Sequence, residues 1–318
     1  MSARPPRPPG RAIDARPAAA AATSRPAASA AAASYASASV WYTSSCMAAD
    51  RSETVLREPP PTALTIAGSD PSGGAGIQAD LKAFHAFGVY GAAVLTALTV
   101  QNTGGVRAIH PVPPDVVLAQ LDAVDEDLRI AAAKIGLVPG PDHATALAAR
   151  LRSRPLPNLV LDPVLVAGSG DPLGADGTAA ALHALLPCAT LVTPNLAEAA
   201  ALTGRPVRDL AEMADAARAL VDAGAAAALV KGGHLPDRPV DVLLAGGVVQ
   251  RLDAERVAVG RTHGAGCTLS AAIAAGLAGG LDLLAAVARA RRFVHRAIAS
   301  AVAVGHGALP LDHRVRSD

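Results

Sequence analysis

The chain has 318 residues, enough to bury a large core in one or two domains, and 51% of them are hydrophobic. Its 28 Lys and Arg against 27 Asp and Glu leave a formal charge of +1, so no global field favours nucleic acid or an anionic membrane surface. Three cysteines, Cys46, Cys188 and Cys267, form no CxxC or Cys/His array; they exclude a disulfide scaffold and suit a reducing, cytoplasmic compartment.

Residues 1–60 stand outside the globular pattern. Met1 to Cys46 is Ala, Ser, Pro and Arg with Asp14 as its only acid, a composition with little to bury that predicts a disordered extension. An upstream mis-start is a second reading, because Met47 opens an ordinary short polar leader, MAADRSETVLREPPP. The Arg- and Ser-rich, acid-poor stretch also superficially matches a transit peptide, against which the Pro-dense PPRPPG stands.

From Thr62 the pattern changes. TALTIA (62–67) reads as a buried strand and GSDPSGGAG (68–76) as a loop, and Ile77, Leu81, Phe84 and Phe87 give the next segment helical spacing. The loop's Gly68, Gly73, Gly74 and Gly76 let backbone approach a ligand, but the loop is neither GxGxxG nor GxxxxGK[ST]. A plain turn and a substrate-enclosing loop both remain open. Asp80 falls in the first helical turn, where the helix dipole also accounts for an acid.

AAVLTALTV (92–100) predicts a second buried strand running into QNTGG (101–105). Gln101 there either reads a heteroaromatic ring edge with its paired donor and acceptor, or ends a strand in water. VPPDVVLAQLDAVDEDL predicts a helix opened by prolines, AAAKIG (131–136) a strand and Asp142 to Arg152 a helix. NLVLDPV predicts another strand, followed by a Gly/Asp/Pro loop at 168–177 and a helix to about Leu186.

TLVTPN reads as a strand entering the helix of NLAEAAAL. Asn195 and Glu198 have the spacing of a capping box, and equally of an amide and a carboxylate orienting Mg2+ through water and phosphate. MADAARALVDAG is helical, and AAAALVKGG is a strand whose Lys231 either snorkels to solvent or meets a polyphosphate. VDVLLAGGVVQRLDAERV predicts two antiparallel strands joined at Gly246 and Gly247.

THGAGCTLSAAIAAG, from Thr262, puts Gly264, Ala265 and Gly266 at a helix N-terminus, where exposed N–H groups suit a transferring phosphoryl group. Cys267 sits where the dipole is expected to lower a thiol pKa, with burial under the helix as the alternative. His263 has no carboxylate placed beside it by the sequence. AAIAAGLAGGLDLLAAVA, from Ala271, is too interrupted to span a membrane and predicts two buried helices joined by a Gly-rich turn. The alternation as a whole predicts one α/β domain over 61–318, its mostly parallel sheet covered by helices and its ligands at the carboxyl ends of strands.

Together these segments resemble the ribokinase-like superfamily, and more closely its hydroxymethylpyrimidine/phosphomethylpyrimidine kinase family. The likeness rests on ALTIAGSDPSGGAGIQADLK (63–82), LTALTVQNTGGV (95–106), AAKIGL (132–137), LDPVLVAGSGDPL (161–173), LVTPNLAEAAALTG (191–204), VKGGHL (230–235) and THGAGCTLSAA (262–272). The resemblance implies a three-layer ribokinase-like fold. It also implies ATP- and Mg2+-dependent phosphorylation of 4-amino-5-hydroxymethyl-2-methylpyrimidine and then of its monophosphate, in thiamine diphosphate biosynthesis, with pyridoxal kinase as the neighbouring alternative.

In that family's pattern Gly68, Asp80 and Gln101 would contact the aminopyrimidine, and Leu137 and Val164 would supply apolar walls. Lys231 would meet the ATP phosphates, Asn195 and Glu198 would organise Mg2+ and its waters, and Gly264, Ala265, Gly266 and Cys267 would form the anion hole. Cys267 stands where sugar kinases of this fold carry an aspartate base. Ala265 replaces a frequent threonine and Leu137 a frequent methionine. The implied partners are a small-molecule pyrimidine and a second copy in a homodimer, with neither nucleic acid nor membrane.

Overall fold

Short apolar strands and amphipathic helices alternate along the chain, of which the computed structural model describes residues 58–166, 171, 173–233, 235 and 238–318. The reading of residues 1–60 as extension, mis-start or leader lies, but for its last three residues, outside the described residues. In order the elements are β1 (Thr62–Ser69), α1 (Gly76–Ala86), β2 (Tyr90–Asn102), β3 (Gly105–Pro111), α2 (Pro114–Asp127), β4 (Ile130–Ile135) and α3 (Pro141–Ser153). There follow β5 (Leu159–Leu161), α4 (Thr178–Leu182), β6 (Leu191–Val192), α5 (Leu196–Thr203), α6 (Leu210–Asp222) and β7 (Ala227–Val230). The last are β8 (Val240–Ala245), β9 (Val248–Asp253), β10 (Thr262–His263), α7 (Ala265–Ala278), α8 (Leu283–Ala299) and β11 (Leu309–Pro310).

Nine strands form one sheet in the order β3-β2-β1-β4-β5-β6-β7-β8-β9. The run from β2 to β7 is parallel, and β3, β8 and β9 add antiparallel edges. Alternate residues of each strand face opposite layers. Leu64 and Ile66 of β1, Leu161 of β5 and Val230 of β7 join one apolar cluster with α2, α3, α5 and α6. Ala63, Val160 and Leu229 of the same strands join another with α1, α7 and α8. Both faces are covered, which is why these strands read as continuous apolar runs.

The helix α7 is buried from Thr268 to Ala278, so small residues let it lie close to both sheet and neighbour. A Cβ on Gly276 would stand 3.1 Å from the Cβ of Ala286, which brings α8 against it. The two helices and their Gly-rich turn match the expectation for this apolar stretch.

Elsewhere the sequence overstated or missed order. NLVLDPV and TLVTPN contribute only three and two strand residues. The helix expected to Leu186 is α4 plus a 3-10 helix, His183–Cys188, in which Pro187 lacks the donor needed to continue an α ladder. QNTGG is the hairpin turn between β2 and an unpredicted edge strand β3, and Asn102 pairs there with Gly105.

Candidate active site

The parallel strands end at one edge of the sheet, and each leaves a polar residue or a glycine there. Gly68 is the last residue but one of β1, Gly136 and then Leu137 follow β4, Asp162 follows β5, Asn195 lies just past β6 and Lys231 follows β7. They border a cavity of about 820 Å3, which also receives Gln101, Val164 and Glu198 and the segment Gly264, Ala265, Gly266 and Cys267.

Asp80 is the exception among the expected site residues. It does not line the cavity; its side chain is fully buried, 2.5 Å from Lys134 Nζ and 2.6 Å from Thr65 Oγ1. Lys134 is the member of that pair that borders the cavity. The acid therefore acts beneath the site, compensating an ammonium in the middle of the sheet that would be very costly alone.

One end of the cavity is built by the loop after β1. Asp70 Oδ1 accepts from the N–H and hydroxyl of Ser72 at 2.9 and 2.7 Å, and Oδ2 accepts from the N–H groups of Gly74 and Ala75 at 3.2 and 2.8 Å. His263 Nε2 lies 2.9 Å from the same Oδ2. Burial opposes the charge on Asp70, but the hydrogen bonds of His263 and Ser72 hold its carboxyl at about 2. A register shift between Val100 and Gln101 re-aims β2 where its glutamine meets the cavity.

At the other end Asn195 and Glu198 do form a capping box. Asn195 Oδ1 accepts from Glu198 N at 2.9 Å, and Glu198 Oε2 accepts from Asn195 N at 2.7 Å. Lys231 Nζ lies 2.9 Å from Asp162 Oδ1 and 3.9 Å from Glu198 Oε2. Burial pushes the Glu198 carboxyl up to about 7 despite the Lys231 charge. Burial also works against the Lys231 ammonium, yet Asp162 and Glu198 hold it well above the usual lysine value.

Gly264 caps α7 at φ +88°, and a Cβ there would run into the Gly74 carbonyl oxygen. The Thr268 N–H returns to Gly264 O at 2.9 Å. The amides of Ala265, Gly266 and Cys267 precede it and have no acceptor within the helix, so they are donors for an anion. The expected activation of Cys267 is corrected, because burial pushes its thiol up to about 11 against the opposing Lys134 charge. Removal of the sulfur from water, helped by the buried carboxylates of Asp80 and Asp162, outweighs the Lys134 charge and the Gly76 N–H.

Sequence reasoning missed Asp162, Lys134 and the Asp70–His263 contact. A lone cation inside AAAKIG and an acid ending an apolar strand were available signals for the first two. It also missed a second cavity of about 770 Å3, walled by Val257, Val259, Leu269 and Val294 and bordered by Arg256. The two cavities share Arg256 and, among others, Asn195, Lys231, Ala265 and Gly266.

The family model described as phosphomethylpyrimidine kinase matches residues 70–312. The hydroxymethylpyrimidine/phosphomethylpyrimidine kinase of Rhizobium meliloti (strain 1021) is 52% identical over 256 residues, spanning 79% of this chain and 96% of that protein. The enzyme of the same description from Escherichia coli (strain K12) is 48% identical with the same coverage. Among solved structures, the ADP complex of Bacillus subtilis pyridoxal kinase superposes with a TM-score of 0.73 at 36% identity, covering 80% of this chain and 97% of that one. Phosphomethylpyrimidine kinase from Clostridium difficile 630 gives a TM-score of 0.68 at 38% identity, covering 76% and 100%.

Proposed function

Since the chain belongs to the phosphomethylpyrimidine kinase family, we propose that it transfers the γ-phosphoryl group of ATP to 4-amino-5-hydroxymethyl-2-methylpyrimidine and then to the resulting monophosphate. The observation that carries this reading is the meeting of the two cavities at Lys231 and the N-terminus of α7. A nucleotide in the 770 Å3 cavity and a pyrimidine in the 820 Å3 cavity would face each other across that junction.

Gln101 would pair with the amino and ring-nitrogen edge of the acceptor, while Leu137 and Val164 wall it. The P–O bond to the ADP oxygen breaks as the hydroxymethyl oxygen bonds to phosphorus, and the alcohol proton is taken by Cys267 in its thiolate form. The amides of Ala265, Gly266 and Cys267 and the Lys231 ammonium stabilise charge on the transferring group. In the second round the acceptor is already anionic, so these donors matter more than a base.

The residues present suit a magnesium ion. Glu198 and Asp162 are hard oxygen donors, and a buried carboxyl held at about 7 gains from a nearby cation. Among the described residues no group of three or more His, Cys, Asp or Glu forms a ready cage, which fits an ion held largely by phosphates and water. Such an ion, when bound, neutralises phosphate charge; Asn195 and Glu198 would hold its waters. Cys188 and Cys267 are free thiols, which supports a cytoplasmic setting. No helix among the described residues is long and apolar enough to cross a membrane.

Product-resolved kinetics with ATP, Mg2+ and either the pyrimidine or pyridoxal test the reading. Sequential mono- and diphosphate formation from the pyrimidine is expected. Faster turnover of pyridoxal, the reading favoured by the likeness to the Bacillus subtilis enzyme, or arrest at the monophosphate would overturn it.

A further inference from the structure

A chain of polar contacts runs from the loop after β1 to the site glutamine, and its hydrogens can be counted. Asp70 is a carboxylate, an acceptor only, and its Oδ2 lies 2.9 Å from His263 Nε2. That nitrogen must carry a hydrogen in either charge state of the ring that satisfies the contact. It has one in-plane position, so it cannot also accept. At the far end Thr99 Oγ1 donates its single hydrogen to Ser69 O at 2.7 Å, leaving only lone pairs.

Between them the Gln101 amide is placed with Nε2 3.0 Å from His263 Nε2 and Oε1 3.2 Å from Thr99 Oγ1. In that setting two N–H groups confront each other at one end and two acceptors at the other. A half-turn of the amide relieves both ends at once, the single His263 hydrogen then being shared between Asp70 Oδ2 and the Gln101 carbonyl as a three-centre bond, and the two ends ask for it independently. The ordered chain is then Asp70 carboxylate, His263 N–H, Gln101 carbonyl, Gln101 NH2, Thr99 hydroxyl and Ser69 carbonyl.

We propose that Asp70 and His263 are positioning residues that lock the Gln101 amide with its carbonyl toward His263 and its NH2 toward Thr99, presenting one donor–acceptor order to the acceptor ring. The inference rests on the reading that Gln101 faces the pyrimidine. The second N–H and second lone pair of the amide match an exocyclic amino group beside a bare ring nitrogen. An isosteric ring with a carbonyl beside a ring N–H presents the reverse order and is rejected. The imidazole has little room to turn away, because a Cβ on Gly74 would stand 2.7 Å from its Cδ2.

The test compares His263→Phe and His263→Gln, using the aminopyrimidine acceptor and its 4-oxo analogue at saturating MgATP. Asp70 retains its bonds from Ser72, Gly74 and Ala75 in both variants. Loss of the N–H in His263→Phe is expected to raise KM for the aminopyrimidine about 5- to 160-fold and to narrow its preference over the oxo analogue, with KM for ATP unchanged. His263→Gln, whose amide N–H can replace the ring N–H, is expected to recover the preference. An unchanged preference in His263→Phe, or equal losses on both acceptors in the two variants, overturns the proposal. Independently of any substrate, proton NMR of the free wild-type protein is expected to show the Gln101 amide hydrogens close to the Thr99 methyl group. Proximity to the His263 ring alone would sink the proposal. Should the wild type phosphorylate neither acceptor, the function fails while the amide orientation is still decided.

Discussion

Cys267 shows two local effects of opposite sign meeting on one atom. A helix N-terminus favours a thiolate by about 0.3–1 kcal/mol at an exposed end, and Lys134 adds its charge, yet burial prevails and the thiol stands at about 11. At neutral pH the side chain is therefore almost entirely neutral SH, which cannot take a further proton, so a role as proton acceptor belongs to the small thiolate fraction alone. Because the thiolate fraction rises with pH up to about 11, the first transfer should accelerate from pH 7 toward 9 in the wild type. Cys267→Ala should flatten that rise and slow the first transfer more than the second, whose acceptor has no alcohol proton. Rates for each acceptor, measured across pH with MgATP saturating, decide it. Parallel losses with parallel profiles would assign Cys267 to packing of the anion loop.

At the scale of elements, Asp80 on α1 and Lys134 on β4 tie a helix to the sheet beneath the cavity, both side chains fully buried. Lys134→Met leaves the carboxylate unpaired and should cost about 3–5 kcal/mol in urea unfolding, whereas Lys134→Met with Asp80→Leu should recover much of it. A double variant no more stable than the single one would mean that the pair is held by more than mutual charge. Legibility also divides at this scale. Strands buried on both faces announced themselves as apolar runs, and α7 and α8 as small-residue helices around a glycine turn. The edge strand β3 is half exposed, with polar residues in its run, and β10 and β11 are two residues each, below any periodic signal. Site residues at strand ends were readable as polar or glycine interruptions. The pairs Asp80–Lys134 and Asp70–His263, 54 and 193 positions apart, exist only once the sheet has formed. The second cavity had no motif, because its wall comes from separate segments after β9 and along α7 and α8.

Across the whole molecule, every strand of the nine-stranded sheet and both apolar layers come from Thr62 onward. The family match begins at residue 70, and the Rhizobium meliloti relative is covered to 96% of its length by 256 residues of alignment. The fold and both cavities thus have all their described parts within the segment that the sequence marks off by composition. A protein beginning at Met47 is expected to keep turnover within about twofold and its unfolding midpoint within about 2 °C of the full chain, since losing about 1 kcal/mol of stability would shift a domain of this size by roughly 2–4 °C. Thermal unfolding and product-resolved turnover of the two proteins, side by side, test this. A lower midpoint with unchanged KM values would give residues 1–46 a part in stability. Raised KM for ATP or the pyrimidine at an unchanged midpoint would instead give them a part in the site, and either result would remove the separation of chain from domain that the composition suggests.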